Sequence, residues 1–557
     1  MLLEALGAAR DLGRLHDISS ILIRFGFGDT VRRLGMGAVL EKAGKVLHWQ
    51  EAEELARLEP PQRIRRAMEE LGPSFVKLGQ VLSTRIDLFP SEYIEEFKKL
   101  QNQVPPLPFH EIIEQLEEDL GGPIADVLES VDLDPLAAAS IAQVHQATLK
   151  TGEKVILKIR RPGIRDIIDA DLRLLMRLAD IADDEMIEML HFDPKKIVAE
   201  FAKSIRGELD FANECRNAER ISDNFKDNPS IVVPKVYWQW TCERLNVQEL
   251  VVDIPGSDMD AVDAAGFDRE NLAKIGAEAV LKMVFEDGFF HADLHPGNVF
   301  YRSADQIVVV DFGMVGRISQ ERRFQLVDLL YGVVMRQADR VAETLMIWSG
   351  EFTFDNSALV SEIDDFIDRV HGVPLKSLNF VDLTSDLVVL LRTHHLSLPS
   401  DLTLLIKALV SLDGMGRQLA PGFDMMSAAK PFLRHAMMIK YAPKELAKRG
   451  QKGIVDGFGL MTGLPKDVWD LVKIMRSGKF QFHMEVAHME HFLDRLDKSI
   501  TRITIGIIIA ALIMGSSIVM TVAGGEIPIG LEYFSMIGFA GAVLGGLWMM
   551  FSIWRGR

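Results

Sequence analysis

Two neighbouring stretches decide the fold of this chain: HADLHPGNVF at residues 291–300 and VVVDFG at residues 308–313. They contain an aspartate at 293, an asparagine at 298 and a second aspartate at 311. In phosphoryl transfer an aspartate orients or deprotonates the acceptor, while an asparagine and a second aspartate hold the Mg²⁺ ions that neutralise the phosphates. The spacing therefore predicts Asp293 as the catalytic residue and Asn298 and Asp311 as metal ligands.

Protein kinases keep the same order of motifs: HRD, five residues from its aspartate to an asparagine, then DFG. Upstream, IAQVHQATL, the turn KTGE and KVILKI are typical of two strands joined by a tight hairpin. Lys158 ends VILK on the second strand, where a kinase-like fold places its phosphate-contacting lysine. A DFG triplet alone occurs by chance, but its combination with the DxxxxN spacing and the VILK strand is specific to kinase-like sequences. This combination predicts an α+β, protein-kinase-like fold of two lobes.

Outside this hairpin the sequence predicts mainly helices. Residues 1 to about 130 read as helices, and a charged helical stretch runs from Arg165 to about Asn224. Further strands are expected around IVVPKVYWQW and RLNVQELVV. Beyond Asn271 we expect almost only helices, apart from one short apolar strand, QIVVVDF.

The loop before Lys158 carries alanines where kinases carry glycines. Laid over GxGxxGxV, the stretch AAASIAQV puts Ala137, Ala139 and Ala142 at the glycine positions. Glycine permits positive φ and a close approach of backbone to phosphate, and alanine resists both. We therefore expect a stiffer loop that cradles the nucleotide differently. The predicted nucleotide-binding residues are Ala137, Ala138, Ala139, Ser140, Ile141, Ala142, Gln143, Val144, Lys158 and Glu249.

Together these residues resemble the UbiB/AarF atypical kinase-like family, to which the mitochondrial ADCK proteins also belong. KLGQ at 77–80 is similar to the family's KxGQ signature, and the alanine-rich loop is the family's replacement for the glycine-rich one. ELDFANE carries an ExD motif as Glu208 and Asp210, with Glu214 placed like the kinase αC glutamate. The catalytic loop has the family's HxDxHPGN form. The resemblance covers about residues 65–330, and the helical tail is similar to the bacterial UbiB branch.

The resemblance implies a fold that binds ATP and Mg²⁺ and has lost features needed to phosphorylate proteins. The sequence agrees, because after Gly313 the chain runs through MVGRISQ into a predicted helix without an APE motif, and the arginine of HRD is Ala292. In the family the KxGQ extension folds over the active site. The residues expected to form ion pairs that gate this site are Lys77, Gln80, Glu208, Asp210 and Glu214. Whether Glu208 or Glu214 pairs with Lys158 stays open.

The C-terminus holds the apolar excess that gives a charged chain a mean hydropathy of +0.11. Residues 503–523 and 534–554 are 21 residues each without a charge, and at about 1.5 Å per residue each is long enough to cross a bilayer. The alternative is a pair of buried core helices. Basic residues flank the two stretches and the connector holds two glutamates, so the positive-inside rule predicts a transmembrane helical hairpin with the catalytic body in the cytoplasm, at the cell inner membrane.

The amino-acid composition narrows the range of binding partners. The 80 acidic and 62 basic residues give a net charge of -18, which repels phosphate backbones and argues against nucleic acid. Two cysteines, Cys215 and Cys242, build neither a disulfide framework nor a metal site. Residues 430–479 carry eleven basic and four acidic residues, a local surplus that suits an anionic lipid surface.

From these observations we predict five regions. They are an N-terminal helical region with the KxGQ extension (1–130), a kinase-like N-lobe (131–252), a helical C-lobe (253–430), basic juxtamembrane helices (431–501) and two transmembrane helices (502–557). The resemblance implies a membrane-anchored ATPase that supports ubiquinone biosynthesis, with the lipid membrane, isoprenoid quinone precursors or related lipids, and quinone biosynthetic enzymes as partners. Two alternatives stay open: a small-molecule or lipid kinase, and a nucleotide-dependent scaffold without catalysis.

Overall fold

The computed structural model describes most of the first 443 residues and isolated positions beyond them. The described residues are 9–28, 58–85, 88–100, 104–186, 193–349, 357–370, 380–394, 396–443, 504, 507–515, 517, 537, 540, 541, 543 and 544. The chain divides into two compact units, Met1–Arg449 and Gly450–Arg557. Most of the predicted spans at 503–523 and 534–554, and most of the basic stretch at 430–479, lie outside the described residues. Within the described part of the chain, no helix combines the length and apolarity that crossing a membrane requires.

The first unit contains helices and strands with the following bounds. The helices are α1 (Ala9–Arg24), α2 (Pro60–Leu71), α3 (Pro73–Leu82), α4 (Ser91–Lys98), α5 (Phe109–Leu120), α6 (Ile124–Val127), α7 (Ile164–Met186), α8 (Pro194–Glu208), α9 (Phe211–Asn224), α10 (Met259–Ala264), α11 (Arg269–Lys282), α12 (Gln320–Val334), α13 (Ala338–Ser349), α14 (Ser357–Val370), α15 (Phe380–Thr393), α16 (Ser400–Leu419) and α17 (Met425–Lys440). The strands are β1 (Leu128–Val131), β2 (Ala137–Ala138), β3 (Ala142–Leu149), β4 (Lys154–Arg160), β5 (Ile231–Val232), β6 (Leu245–Glu249), β7 (Ile254–Pro255), β8 (Phe289–His291), β9 (Val299–Ser303), β10 (Gln306–Val309) and β11 (Val315–Arg317).

Helices α1 to α4 form an extension that packs on α7 and α8. Helix α3 buries Phe75, Leu78 and Leu82 in one apolar cluster with Leu172 of α7 and Phe201 of α8. Apolar residues at helical spacing therefore attach the KxGQ segment to the kinase-like body. The prediction of helices is confirmed for this extension, and the first strand begins at Leu128, just inside the region predicted as helical.

An antiparallel sheet with the strand order β1-β3-β4-β6, and with β2 paired to β3, forms the first lobe. On β4, Val155, Leu157 and Ile159 are fully buried in a cluster with residues of α5. Because side chains alternate along a strand, Ile156 and Lys158 project from the opposite face. The predicted hairpin of β3 and β4 is confirmed, and its alternation aims Lys158 away from the apolar core.

The described part of the charged stretch that follows β4 folds as three helices, α7, α8 and α9. Asp193 and Asp210 precede α8 and α9, and their carboxylates accept hydrogen bonds from the backbone N–H groups of Lys196 and Asn213. Such caps satisfy the free N–H groups that begin every helix. The helical prediction is confirmed here, with breaks at the capping aspartates.

The second lobe is helical and carries two small sheets, with strand orders β5-β10-β9-β7 and β11-β8. The sequence predicted only β10 beyond Asn271, and that expectation is wrong for β8, β9 and β11. These strands have three to five residues, too few for a strand period to be recognised. The strand expected around IVVPKVYWQW is reduced to β5 and one isolated pairing of Val236 with Gln248, because Pro234 has no N–H for a sheet.

Candidate nucleotide-binding site

A cavity of about 480 Å³ lies between the inner face of the first sheet, the extension, helices α8 and α9, and the loops at the top of the second lobe. It brings together most of the residues predicted from sequence. The predicted residues that line it are Lys77, Ala137, Ala139, Ser140, Ile141, Ala142, Val144, Lys158, Glu208, Glu214, Glu249, Asp293, Asn298 and Asp311. Four predicted residues lie outside its lining: Gln80, Ala138, Gln143 and Asp210.

Strand pairing places Asp293, Asn298 and Asp311 at one edge of the second lobe. In the β9–β10 pair Val299 opposes Val309, and the Val310 N–H donates to the Asn298 carbonyl oxygen at 3.0 Å. The start of β9 and the end of β10 therefore meet, as the two ends of an antiparallel hairpin do. In the same way β8 pairs with β11, and the Ala292 N–H donates to the Met314 carbonyl oxygen at 3.0 Å. The short strands that sequence reasoning missed are the ones that assemble this edge.

Lys158 joins three elements of the cavity. Its Nζ lies 2.9 and 2.8 Å from the two carboxylate oxygens of Glu214 on α9, and 3.7 Å from Asp311 Oδ1. Burial disfavours the charged ammonium, but the carboxylates of Asp311 and Glu214 outweigh burial and raise the pKa of Lys158. The structure thus decides between the two acids that sequence left open, and Lys158 pairs with Glu214.

Asp311 offers the cavity an ionised carboxylate that can bind a cation. Its backbone has φ 59°, a left-handed conformation that aspartate tolerates better than most residues. The Lys158 ammonium lowers the pKa of Asp311 to about 2, so the carboxylate is ionised at neutral pH. Asn298 Nδ2 donates to the Asp293 carbonyl oxygen at 3.1 Å, which leaves its Oδ1 for a cation. One carboxylate and one amide oxygen fit Mg²⁺, which takes its other ligands from phosphates and water and neutralises phosphate charge.

Lys77 of the extension reaches the same cavity. Its Nζ lies 2.7 Å from Oε2 of Glu208, and both side chains are less than one-fifth exposed. Burial disfavours the Lys77 ammonium, but Glu208 outweighs burial and raises the pKa of Lys77. Glu208 is the last residue of α8, where the helix dipole repels a negative charge. Lys77 therefore compensates an acid that would be unfavourable alone.

Gly79 allows helix α3 to pack closely against its neighbours within the extension. A Cβ at this position would lie 2.1 Å from Leu100 Cδ1 and 2.8 Å from Met68 Sδ. Only glycine lets α3 pack against these neighbours without displacing them. Gln80 donates from Nε2 to the Leu100 carbonyl oxygen at 3.0 Å, so it holds α3 in place instead of lining the cavity.

Asp210 of the ExD motif has a structural task beside the cavity. It caps α9, the helix that carries Glu214, and its Oδ2 accepts a hydrogen bond from Arg216 at 3.0 Å. The motif thus divides its acids: Glu208 pairs with Lys77, and Asp210 fixes the start of the helix that supplies Glu214.

The alanine-rich loop is a tight turn between β2 and β3. The Ala139 N–H donates to the Ala142 carbonyl oxygen at 2.8 Å, and no alanine of this loop has a positive φ. Arg161, which sequence reasoning missed, donates from Nε to the Ala139 carbonyl oxygen at 2.9 Å and from its guanidinium to the Pro105 carbonyl oxygen at 2.8 Å. This side chain is almost fully buried and ties the loop to the segment before α5. The expectation of a stiff loop agrees with these contacts.

Strand alternation explains why two predicted nucleotide-binding residues leave the cavity. Ala138 and Gln143 oppose each other in the β2–β3 pair. Gln143 is fully buried, and its amide exchanges hydrogen bonds with the backbone N–H and C=O of Leu107 at 3.0 and 3.3 Å. Both residues thus support the loop from the side away from the cavity.

Glu249 lines the cavity, and its Oε2 accepts from the Lys235 N–H at 3.3 Å.

The walls near the connection between the lobes are apolar. This part of the lining is formed by Leu136, Val144, Ile156, Leu250, Phe300 and Val310. A flat apolar slot suits the base of a nucleotide. The charged side chains that converge beside the slot suit its phosphates, which would point at the lysines and a metal ion. Sequence reasoning identified Val144 alone among these six, because the others come from separate strands and loops.

Asp293 has a partner that the sequence did not reveal. Lys407 on α16 places its Nζ 2.7 Å from Asp293 Oδ1. Burial raises the pKa of Asp293, but Lys407 outweighs burial and holds that pKa below its usual range.

His291 is buried, which lowers its pKa, and its Nδ1 accepts from the Asp293 N–H at 3.1 Å. His295 accepts from the Gly297 N–H at 3.1 Å and so shapes the loop.

The segment after the DFG motif is short. From Gly313 the chain enters β11 at Val315, and α12 begins at Gln320 after the cap Ser319. This leaves little chain to form the docking segment that peptide substrates use in protein kinases.

Comparisons with known proteins match three successive parts of the sequence to family models. A family model described as "ABC1 atypical kinase-like domain" matches residues 99–345. Models described as "UbiB helical domain" and "ABC1/UbiB kinase-like C-terminal domain" match residues 363–424 and 487–555. Successive parts of the chain thus correspond to parts of one family.

Full-length relatives agree with the family models. "Probable protein kinase UbiB" of Pseudomonas fluorescens (strain SBW25) is 35% identical over 441 residues, which cover 77% of this chain and 82% of that protein. The protein of the same name from Marinobacter nauticus is 36% identical over 429 residues, covering 76% and 78%. A solved Mycobacterium tuberculosis protein, described in complex with erythromycin, is 22% identical, covers 64% of this chain and 94% of that chain, and has a TM-score of 0.43. The first two identities extend over most of both chains.

We expect the Lys158–Glu214 pair to control access to Cys215, the next residue on α9. Cys215 is fully buried, and burial raises the pKa of its thiol to about 12. Lys158→Met leaves Glu214 unpaired, so α9 opens more often; losing about 1.4 kcal/mol of closure gives about tenfold faster labelling of Cys215 by iodoacetamide. Lys154→Met, at the exposed start of β4, is the matched control, and Cys242 is the internal reference. Equal labelling rates in Lys158→Met and the wild type would contradict this role of the ion pair.

Proposed function

The chain belongs to the UbiB/ABC1 atypical kinase-like family, and from that membership we propose that it is an ATPase that supports ubiquinone biosynthesis at a membrane. Lys158 would contact the phosphates, Asn298 and Asp311 would hold Mg²⁺, and Asp293 would position the water. The water oxygen attacks the terminal phosphorus, the bond to ADP breaks, and Asp293, ionised at neutral pH, orients the water and accepts its proton.

One observation carries the choice of hydrolysis over protein phosphorylation. Lys77, from outside the kinase-like lobes, lines the cavity with Asp293 and pairs with Glu208 at 2.7 Å. A peptide acceptor would have to displace this lysine, whereas water can share the space. The short segment after Gly313 supports the same choice, because it offers little surface for a peptide. A small-molecule or lipid acceptor is the second possibility that the cavity size allows.

The quinone pathway rests on the family resemblance and on the relatives' printed name. Isoprenoid quinone precursors are lipids held in a bilayer, so their transfer to soluble biosynthetic enzymes requires work at the interface. ATP hydrolysis by this site would supply that work. The proposed partners are therefore the lipid membrane, quinone precursors or related lipids, and the enzymes that modify them.

Membrane anchoring is proposed from the sequence of the C-terminus. The uncharged stretches at 503–523 and 534–554 and the basic residues around them suit two spans at the cell inner membrane, with the body in the cytoplasm. The net charge of -18 would repel an anionic leaflet. The spans and the basic stretch at 430–479 would hold the acidic body there.

Opening the gate should change the reaction. We expect Lys77→Ala to raise phosphorylation of the protein itself, and Ala139→Gly to change ATP turnover by freeing the loop; a barrier change of about 1.4 kcal/mol corresponds to about tenfold. Each variant is assayed with γ-labelled ATP. Self-phosphorylation is measured as label on the protein, and hydrolysis as labelled free phosphate.

Lys98→Ala, an exposed lysine on α4 of the same extension, is the control and should behave like the wild type. Unchanged hydrolysis and unchanged self-phosphorylation in both test variants would exclude the gate.

Catalysis and scaffolding predict different outcomes for Asp293→Asn. In a strain lacking the gene, we expect this variant to bind ATP but to leave the quinone pool depleted, because the amide cannot accept a proton from water. Quinones are profiled in lipid extracts, with Asp227→Asn on the exposed surface as the matched control. A quinone pool restored by Asp293→Asn would favour a scaffold, and label from ATP in the lipid extract would favour a lipid kinase. A normal pool in the deletion strain would remove the pathway assignment.

Anchoring predicts the behaviour of the full chain in cell membranes. We expect it to remain in the pellet after a sodium carbonate wash, because each span is long enough to cross the bilayer core of about 30 Å. A variant ending at residue 501 should be released. Release of the full chain by carbonate would count against the spans.

A further inference from the structure

The catalytic loop lacks a cation of its own. Residues 293–298, DLHPGN, contain no lysine or arginine, and Ala292 stands where HRD kinases have arginine. Phosphoryl transfer generally requires positive groups close to the reacting phosphate and its activating residue. Among the described residues, Lys407 supplies an ammonium within ion-pair distance of the Asp293 carboxylate. It comes from a helix far along the chain.

We propose that Lys407 is the positioning residue of Asp293, and that through it helix α16 is coupled directly to ATP hydrolysis. This inference rests on the proposed ATPase function. Lys407 Nζ lies 2.7 Å from Asp293 Oδ1 and 3.7 Å from the sulfur of Met314, the residue after the DFG motif. One ammonium thus contacts the catalytic loop and the segment that follows the metal-binding aspartate.

The surroundings of Asp293 leave this task to Lys407. His291 is buried and accepts from the Asp293 N–H, and burial lowers its pKa, so it contributes little positive charge. His295 uses Nδ1 to accept from Gly297. Asp311 across the cavity is held by Lys158. Lys407 is therefore the charged group that fixes one oxygen of Asp293 and leaves the other for water.

Helix α16 is a rigid support for this contact. Leu405, Ala408 and Leu412, on the turns around Lys407, are buried in the core of the second lobe. The start of α16 is tied to α12 by the Arg322 Nε to Asp401 Oδ2 contact at 3.3 Å. The helix lies within the segment that matches the family's helical-domain model. A partner that shifts α16 would therefore change the activity of Asp293 without touching the nucleotide.

The test compares Lys407→Met with Lys407→Arg in the full chain. ATP hydrolysis is measured at pH 7 at several ATP concentrations. Losing the ammonium removes the contact that holds one oxygen of the Asp293 carboxylate, while the groups that contact the nucleotide stay in place. We expect Lys407→Met to lower kcat about tenfold or more, with KM for ATP little changed, and Lys407→Arg to restore kcat. Lys430→Met, an exposed lysine on α17, should leave kcat and KM unchanged. An unchanged kcat in Lys407→Met, or a KM that rises as much as kcat falls, overturns the proposal.

A double-mutant cycle separates this inference from the ATPase proposal. The unfolding midpoints of the wild type, Lys407→Met, Asp293→Asn and the double variant should be non-additive at pH 7. Additive midpoints at pH 7 overturn the pairing. Non-additive midpoints in a protein that hydrolyses no ATP would retain the pair and refute the ATPase proposal instead.

Discussion

The contacts of Lys158 with Glu214 and Asp311 are the interaction on which the rest of the site depends. They connect strand β4 of the first lobe, helix α9, and the loop after β10 of the second lobe. A charge taken out of water is costly unless it is paired, so Lys158 and the buried Glu214 each need the other in place, and the more exposed Asp311 adds a second acid beside the ammonium. The cap of Asp210 on α9, the alternation of β4 and the left-handed backbone of Asp311 are all conditions for this one contact.

The same rule extends across the cavity, because each lysine near it has an acid from a different part of the chain. Lys77 brings in the extension through Glu208, and Lys407 brings in helix α16 through Asp293. An ionised, oriented site is thus complete before nucleotide binds, which lowers the cost of reorganisation during reaction. A consequence is that the extension and α16 are parts of the site, and any partner that moves either one reaches the chemistry.

How far sequence predicts such a site depends on where the partners lie. The motif around Asp293 and the register of the β3–β4 hairpin predicted the cavity residues well, because both are local patterns. The choice between Glu208 and Glu214 could not be made, since the two acids lie in one charged segment and only the packing of α8 and α9 separates them. Lys407 and Arg161 were missed because their contacts join distant segments. Strands β8, β9 and β11 were missed because three to five residues are too few to show a recognisable period.

The free energies of the contacts around Lys77 also indicate how a gate at this residue would open. Undocking α3 would expose Phe75, Leu78 and Leu82, each worth about 1.5–3 kcal/mol when buried. Breaking the hydrogen-bonded pair of Lys77 with Glu208 costs about 1.5–3 kcal/mol, far less than the sum for the helix. A swing of the Lys77 side chain is therefore the accessible route, with the open form populated at about one part in ten to one in a hundred. Nucleotide phosphates that offer Lys77 a new anion would shift this equilibrium, so that the extension can stay docked while the cavity admits its ligand.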